Sequence, residues 1–189
     1  MSVGQAAEET SRSGTVWKVD PVHTTVEFSV RHMMIATVRG QFTQVAGELR
    51  GDPDNLPGCQ IEGVIQAASV DTREPNRDAD LRSANFFDVE RYPEIRFESR
   101  SITSRGGGDE YEVLGDLTMH GVTHPVTLTL TLEGQIRDPY GHQRVGFTLE
   151  GSLNRKDWGL NWNVVLEAGG VMVSDQVKIV VHVEAVRQD

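Results

Sequence analysis

The chain has 189 residues, one cysteine and a formal net charge of -10 at pH 7. Acidic residues spread along its length repel phosphate backbones and anionic bilayer surfaces, so nucleic acid is excluded as an expected partner, and a lone Cys59 excludes an intrachain disulfide. No stretch approaches the roughly twenty apolar residues that span a bilayer, and the start, MSVGQAAEETSRSG, lacks a basic segment followed by an apolar run; the protein is expected to be cytoplasmic, without a membrane span.

Residues 1–14 are rich in Ser, Glu, Ala and Gly, lack aromatics and are expected to be disordered, leaving 15–189 as one domain. From 22 to 30, VHTTVEFSV sets Val22, Val26, Phe28 and Val30 on one face and polar residues on the other, the two-residue period of a half-buried strand. Further strands are expected over 37–50, 59–70, 94–101 and 111–120. Strands over 126–132 and 145–153 alternate cleanly: Val126, Leu128, Leu130 and Leu132 oppose threonines, and Val145, Phe147, Leu149 and Leu153 oppose Thr148, Glu150 and Ser152. A last strand covers 176–185. Turn chemistry at Asp52-Pro53, Gly106-Gly107-Gly108, Gly121, Asp138-Pro139-Tyr140-Gly141 and Gly169-Gly170 separates these segments.

Two helical pieces interrupt the pattern. Residues 78–84 begin acidic, end basic and carry Leu81, which suits a short helix. The second lies within 154–162, where Gly159 sits between Trp158 and Trp162. The fold class is therefore all-β: about eight antiparallel strands in a meander, which loses its exposed edges by closing into a barrel, with one or two short helical inserts. A barrel of that size has room for side chains or one small ligand. The charged insert with Leu81, Phe86 and Phe87 reads as an apolar lid on a container for a greasy ligand.

Four segments carry a resemblance: WKVDPVHTTVEFSVRH at 17–32, SVDTREPNRDADLRSANFFDVERYPEIRF at 69–97, GDLTMHGVTHPVTL at 115–128 and NRKDWGLNW at 154–162. Their occurrence in this order over about 16–185 resembles the YceI-like family. The resemblance implies an extended lipocalin-like antiparallel β-barrel whose elongated interior binds polyisoprenoid chains, such as isoprenoid quinones or their precursors. Family members often carry His where Asp80 stands here. A carboxylate donates no hydrogen bond at neutral pH and repels a phosphate, so a neutral head group such as a quinone fits this chain better.

The expected tunnel wall takes apolar-face and lid residues: Val26, Phe28, Val30, Met34, Phe42, Leu81, Phe86, Phe87, Phe97, Leu117, Phe147, Leu149, Trp158 and Trp162, with one ring of the Phe86–Phe87 pair facing each way. His32 is placed to donate to a carbonyl head group, and Arg77, with Asp71, Arg73, Asp78 and Arg82, forms either a polar mouth for a head group or an ion-pair network that staples the insert to the barrel. His120 and His124 flank a turn with no third ligand near in sequence, so no metal is expected. Arg155 is read as an architectural residue in need of partners. No Gly-x-Ser-x-Gly elbow, Walker motif or His-Glu-x-x-His is present, and no catalytic residue or cofactor is assigned.

Three readings follow. The first is a non-enzymatic carrier or store of an isoprenoid lipid; the second is an enzyme acting on a hydrophobic carbonyl or isoprenoid through His32 or Asp78. The third is a ligand-free interaction protein, perhaps a homodimer, with its cavity filled by its own side chains.

Overall fold

The computed structural model describes residues 14–189. The disorder expected of residues 1–14 thus falls, Gly14 apart, outside the described residues. Eleven strands form one sheet: β1 (Val16–Val19), β2 (Thr25–His32), β3 (Ala36–Phe42), β4 (Val45–Arg50), β5 (Gln60–Gln66), β6 (Val70–Asp71), β7 (Glu94–Ser104), β8 (Glu110–Met119), β9 (Val122–Arg137), β10 (Gln143–Asn154) and β11 (Gln176–Arg187). Among the described residues one α-helix, α1 (Pro75–Arg82), interrupts them.

The pairing reduces eleven strands to eight. β1 and β2 lie end to end against β11, through Lys18↔Val186 at one end and Val26↔Val181 at the other. β4 and β3 continue one another against the same pair, and β5 and β6 do so against β4 and β3. Every neighbouring pair is antiparallel, and β1–β11 closes the ring, so the fold is the eight-stranded meander barrel expected from the turn spacing.

The breaks have local causes. Asp20-Pro21-Val22-His23 bulges out of the first long strand because Pro21 has no N–H for the ladder. The Asp20 N–H donates to the Glu184 carbonyl at 2.8 Å, and Thr24 exchanges hydrogen bonds with Glu184 on the far side of the bulge. Val22, assigned to the strand face from its spacing, stands 82 % exposed in this bulge. The breaks at Thr43-Gln44 and 67–69 sit beside each other and share bonds: Thr43 N–H to the Ser69 carbonyl, and Gln66 N–H to the Gln44 carbonyl. Two adjacent strands therefore bend together.

The helical insert starts three residues earlier than its sequence pattern suggests. Pro75 occupies the first helical position, where its missing N–H costs nothing, and the Glu74 carboxylate accepts from the Asn76 and Arg77 N–H groups. Glu is an uncommon cap, which is why Asp78 was the more visible start. The piece expected within 154–162 is a single 3-10 turn, Arg155–Trp158.

The two barrel ends differ. At one, a 3-10 turn (Pro53–Gly58) folds Leu56, fully buried, over the opening. It is joined there by Trp17, Ile102, Val113, Leu130 and Val145, each at most 4 % exposed. The other end carries the β2–β3 turn, α1, the β8–β9 turn and the long 155–175 connection.

Candidate functional site

Between these ends lies a cavity of about 540 Å³ lined almost wholly by apolar side chains. It is bounded below by Leu49, Val19 and Ala185 and rises past Val26, Phe28, Phe42, Phe97, Phe147 and Leu149 to His32, α1 and Trp162. It reaches the surface at the α1 end, where the exposed Asn76 and Arg77 join its lining.

Glycine at inward positions either admits a neighbouring ring or side chain or leaves space open. Inward positions on these strands alternate, and several hold glycine. At Gly40, Gly115 and Gly151 the room is already taken: a Cβ would meet Phe28 at 2.4 Å, Phe97 at 2.4 Å and Leu128 at 2.6 Å. Gly47 and Gly63 pair directly across β4 and β5. A Cβ on Gly63 would meet nothing nearer than the Ala46 carbonyl oxygen at 4.0 Å, so the missing side chain leaves void.

An aromatic chain crosses the upper cavity, with Phe28 to Phe42 at 5.5 Å between ring centroids and Phe42 to Phe87 at 5.6 Å, edge to face. At the rim Phe86 packs on Trp162 at 5.3 Å. Both rings of the Phe86–Phe87 pair thus border the cavity, on opposite sides of the lid, where the sequence suggested that one would turn away.

The structure brings fourteen of the expected residues to the cavity: Val26, Phe28, Val30, His32, Phe42, Arg77, Leu81, Phe86, Phe87, Phe97, Leu117, Phe147, Leu149 and Trp162. Two are elsewhere. Met34 sits in the β2–β3 turn at φ 62°, 60 % exposed, its sulfur over Gly170 rather than facing inward. Trp158 is 1 % exposed but packs beneath the β8–β9 turn, donating from Nε1 to the Leu117 carbonyl at 2.9 Å with its ring against His124. Its burial is structural, because the 3-10 turn carries it away from the barrel axis. Sequence reasoning passed over the wall supplied by Val177, Ile179, Val181 and Val183 of β11, whose alternation was visible, and the void at Gly63, which gives no positive signal.

Polar groups at the mouth hold the lid. Asp78, 7 % exposed, accepts from the Thr72 N–H at 2.9 Å and the Thr72 hydroxyl at 2.5 Å. Arg77 donates to the Thr72 hydroxyl and carbonyl at 2.7 and 2.9 Å, and Arg82 to the carbonyls of Ala68 and Val70 at 2.8 and 2.9 Å. These bonds staple the insert to β6 and the residues on either side of it; Arg77 and Asp80 also border the cavity. The opposite lip hangs on Arg155, 3 % exposed, which donates to the carbonyls of Ser174, Leu160, Trp162 and Val173. Burial pushes the pKa of this guanidinium down, with Asp175 opposing.

His32, Glu27, Glu48 and Glu62 also border the cavity, whereas several other titratable groups lie off it. His120 and His124 each turn Nδ1 to a backbone carbonyl, of Trp158 and Pro125, and meet different aromatics, Tyr92 and Trp158, edge to face. Among the described residues Asp20, His23 and Glu184 bring three potential metal donors together. The space is occupied by Arg144, whose Nη1 lies 3.0 Å from Asp20 and 2.6 Å from Glu184. Burial, then the nearby Asp52, pushes the Cys59 thiol up to about 11, and its Sγ donates to the Asp52 carbonyl. No helix is long and apolar enough to cross a membrane among the described residues.

A closed antiparallel barrel with an apolar interior and a lidded mouth defines the class: a lipocalin-like container. Residues 17–185 match the YceI-like domain, and the chain belongs to that family. It is 37 % identical over 166 residues to protein YceI of Escherichia coli O157:H7, covering 88 % of this chain and 83 % of that one. It is 36 % identical over 165 residues to a UPF0312 protein of Staphylococcus epidermidis, covering 87 % and 93 %. Among solved structures, the fold matches BcnA of Burkholderia cenocepacia with a TM-score of 0.74 at 23 % identity, over 88 % of this chain and 98 % of that one. It also matches a polyisoprenoid binding domain from Saccharophagus degradans with a TM-score of 0.70 at 14 % identity, over 91 % and 98 %.

Proposed function

We propose that this protein binds and carries an isoprenoid lipid, an isoprenoid quinone or its precursor, without acting on it chemically. The observation that carries the reading is the 540 Å³ apolar cavity, sealed at one end and lidded at the other. At roughly 30 Å³ per heavy atom it holds on the order of 18 carbons, between three and four five-carbon units. A longer chain keeps its tip inside and emerges at the mouth.

The wall residues named above supply affinity by burial, about 0.8 kcal/mol per methylene. The groups at the mouth favour a neutral head: Asp80 borders the cavity where an anionic head would be repelled. Asp78 is engaged by Thr72, which leaves it poorly placed as a general base. The polyisoprenoid-binding description of the Saccharophagus degradans domain agrees with this reading.

The test is purification without detergent, solvent extraction and mass spectrometry of the extract. A stoichiometric prenyl lipid is expected. A changed prenyl product after incubation points to an enzyme instead, and protein that neither yields nor takes up a prenyl lipid refutes the carrier.

A further inference from the structure

We propose that the two apolar turns beside the cavity mouth form a lip that docks on an uncharged lipid bilayer, so that cargo passes between membrane and cavity without crossing water; this rests on the carrier reading above. Nine large apolar side chains are well exposed among the described residues. Six of them, Met33, Met34, Ile35, Val122, Val164 and Val165, belong to the mouth end of the barrel. Scattered exposed apolar residues need no explanation, but a cluster at one pole marks a contact surface.

The cluster is a built feature. Residues 163–173 fold back as a hairpin, with Val165 opposite Val171 and the Met172 N–H on the Val164 carbonyl at 2.9 Å. That hairpin is joined to the β2–β3 turn by the Met33 N–H to the Met172 carbonyl at 2.8 Å, and by the pairing of His32 with Val173. Arg155 holds its base from below. Two loops are thereby fixed side by side with Ile35 82 % and Val165 79 % exposed at their tips.

Three observations select a bilayer as the occupant. First, the lip is continuous with the cavity: His32, Trp162, Met172 and Val173 line the cavity and adjoin the exposed tips. Second, the 540 Å³ cavity takes only about three to four five-carbon units, so a longer prenyl chain bound as proposed would leave the mouth beside these residues. Third, the 19 residues of 31–37 and 162–173 carry a single acid, Glu167, where 28 acids in 189 residues would place about three. The α1 side of the mouth stays charged through Arg73, Glu74 and Asp80 and faces the head-group region when the lip is buried. The net charge of -10 directs the contact to zwitterionic rather than anionic lipid.

The test uses the whole protein and phosphatidylcholine vesicles carrying an isoprenoid quinone, comparing wild type with the double variant Ile35→Asp, Val165→Asp. Neither side chain borders the cavity, so loading from detergent solution should be unchanged and reports a folded barrel. Flotation with vesicles should be lost, and transfer from vesicles should slow by about tenfold or more. Adding phosphatidylglycerol should slow wild-type transfer, and salt should restore it. Wild-type protein that fails to float, or equal transfer rates in the two proteins, overturns the lip while leaving the carrier standing, as does apolar-lip binding to a protein with none to vesicles. Failure to load even from detergent overturns the carrier, and the lip with it.

Discussion

Filling the void at Gly63 should separate stability from binding, because the two respond with opposite signs. Gly63 lies on an extended strand outside the positive-φ region and lines the cavity, and a Cβ added there would come no nearer than 4.0 Å to any heavy atom beyond its chain neighbours. Gly63→Leu adds four carbons, about 120 Å³ at roughly 30 Å³ each, out of 540 Å³. Removing an interior-strand glycine and burying a leucine together stabilise the empty barrel by about 1–3 kcal/mol, a rise of roughly 3–10 °C for a domain of this size. The same four carbons displace nearly one isoprene unit, about 3 kcal/mol at 0.8 kcal/mol per carbon, so a ligand that fills the cavity binds about 200-fold more weakly. A chain free to slide toward the mouth loses less, which makes the preferred length one unit shorter the sharper readout. Thermal unfolding of delipidated protein and titration with prenyl alcohols of graded length measure both. Equal affinity and equal stability would mean that the void is not there, and a destabilised variant would mean that Gly63 is not facing it. Its partner Gly47 is the control: a Cβ there meets the Glu62 carbonyl oxygen at 2.5 Å, so Gly47→Ala should destabilise by about 1–3 kcal/mol.

Arg155→Met should cost about 3–5 kcal/mol, because four carbonyls lose a buried donor. The loss should appear first as faster hydrogen exchange over 160–174, and uniform exchange with unchanged stability would refute the clamp. At the β1–β2 bulge, the Asp20 hydrogen bond, then the Glu184 and Asp20 charges, raise the pKa of His23 above 6.5. Its protonated form therefore stabilises the fold fully below pH 6.5, and the contribution disappears as pH rises through the raised value. The melting-temperature gap between wild type and His23→Gln should be largest below pH 6.5 and close on alkalinisation; a constant gap removes the linkage. Cys59, with its thiol pushed up to about 11, should react with iodoacetamide at pH 8 more slowly in the folded protein than in denaturant, and equal rates would refute its half-buried, hydrogen-bonded state.

The barrel was legible because every long strand shows one apolar face, and the short connections leave few ways to pair them. What alternation hides is a strand interrupted without a change of face. β1 was missed because four residues carry too little pattern, and Thr43-Gln44 passed unnoticed inside a run that reads as continuous. The site was partly legible for the same reason: inward faces are cavity faces wherever the barrel is hollow. Trp158 and Met34 misled because large apolar residues outside regular strands have no periodicity to assign their direction.

Alternation alone cannot distinguish a barrel lined around a cavity from one packed solid, since both place apolar residues inward. Volume along the axis makes the difference here. Trp17, Leu56, Ile102, Val113, Leu130 and Val145 fill the end closed by the Leu56 turn and touch no part of the cavity, whereas Gly47 and Gly63 enter just above them. The filled end forms a close-packed core with buried aromatic and aliphatic area, so the hollow end need not be well packed to stay folded. It is held instead by directional bonds at its rim, Arg77 and Arg82 to β6 and its approach, and Arg155 to the 160–174 connection. Such bonds fix backbone position without filling space. They let one chain keep a stable fold and an empty apolar interior together, with the opening at the end where opening costs the least packing.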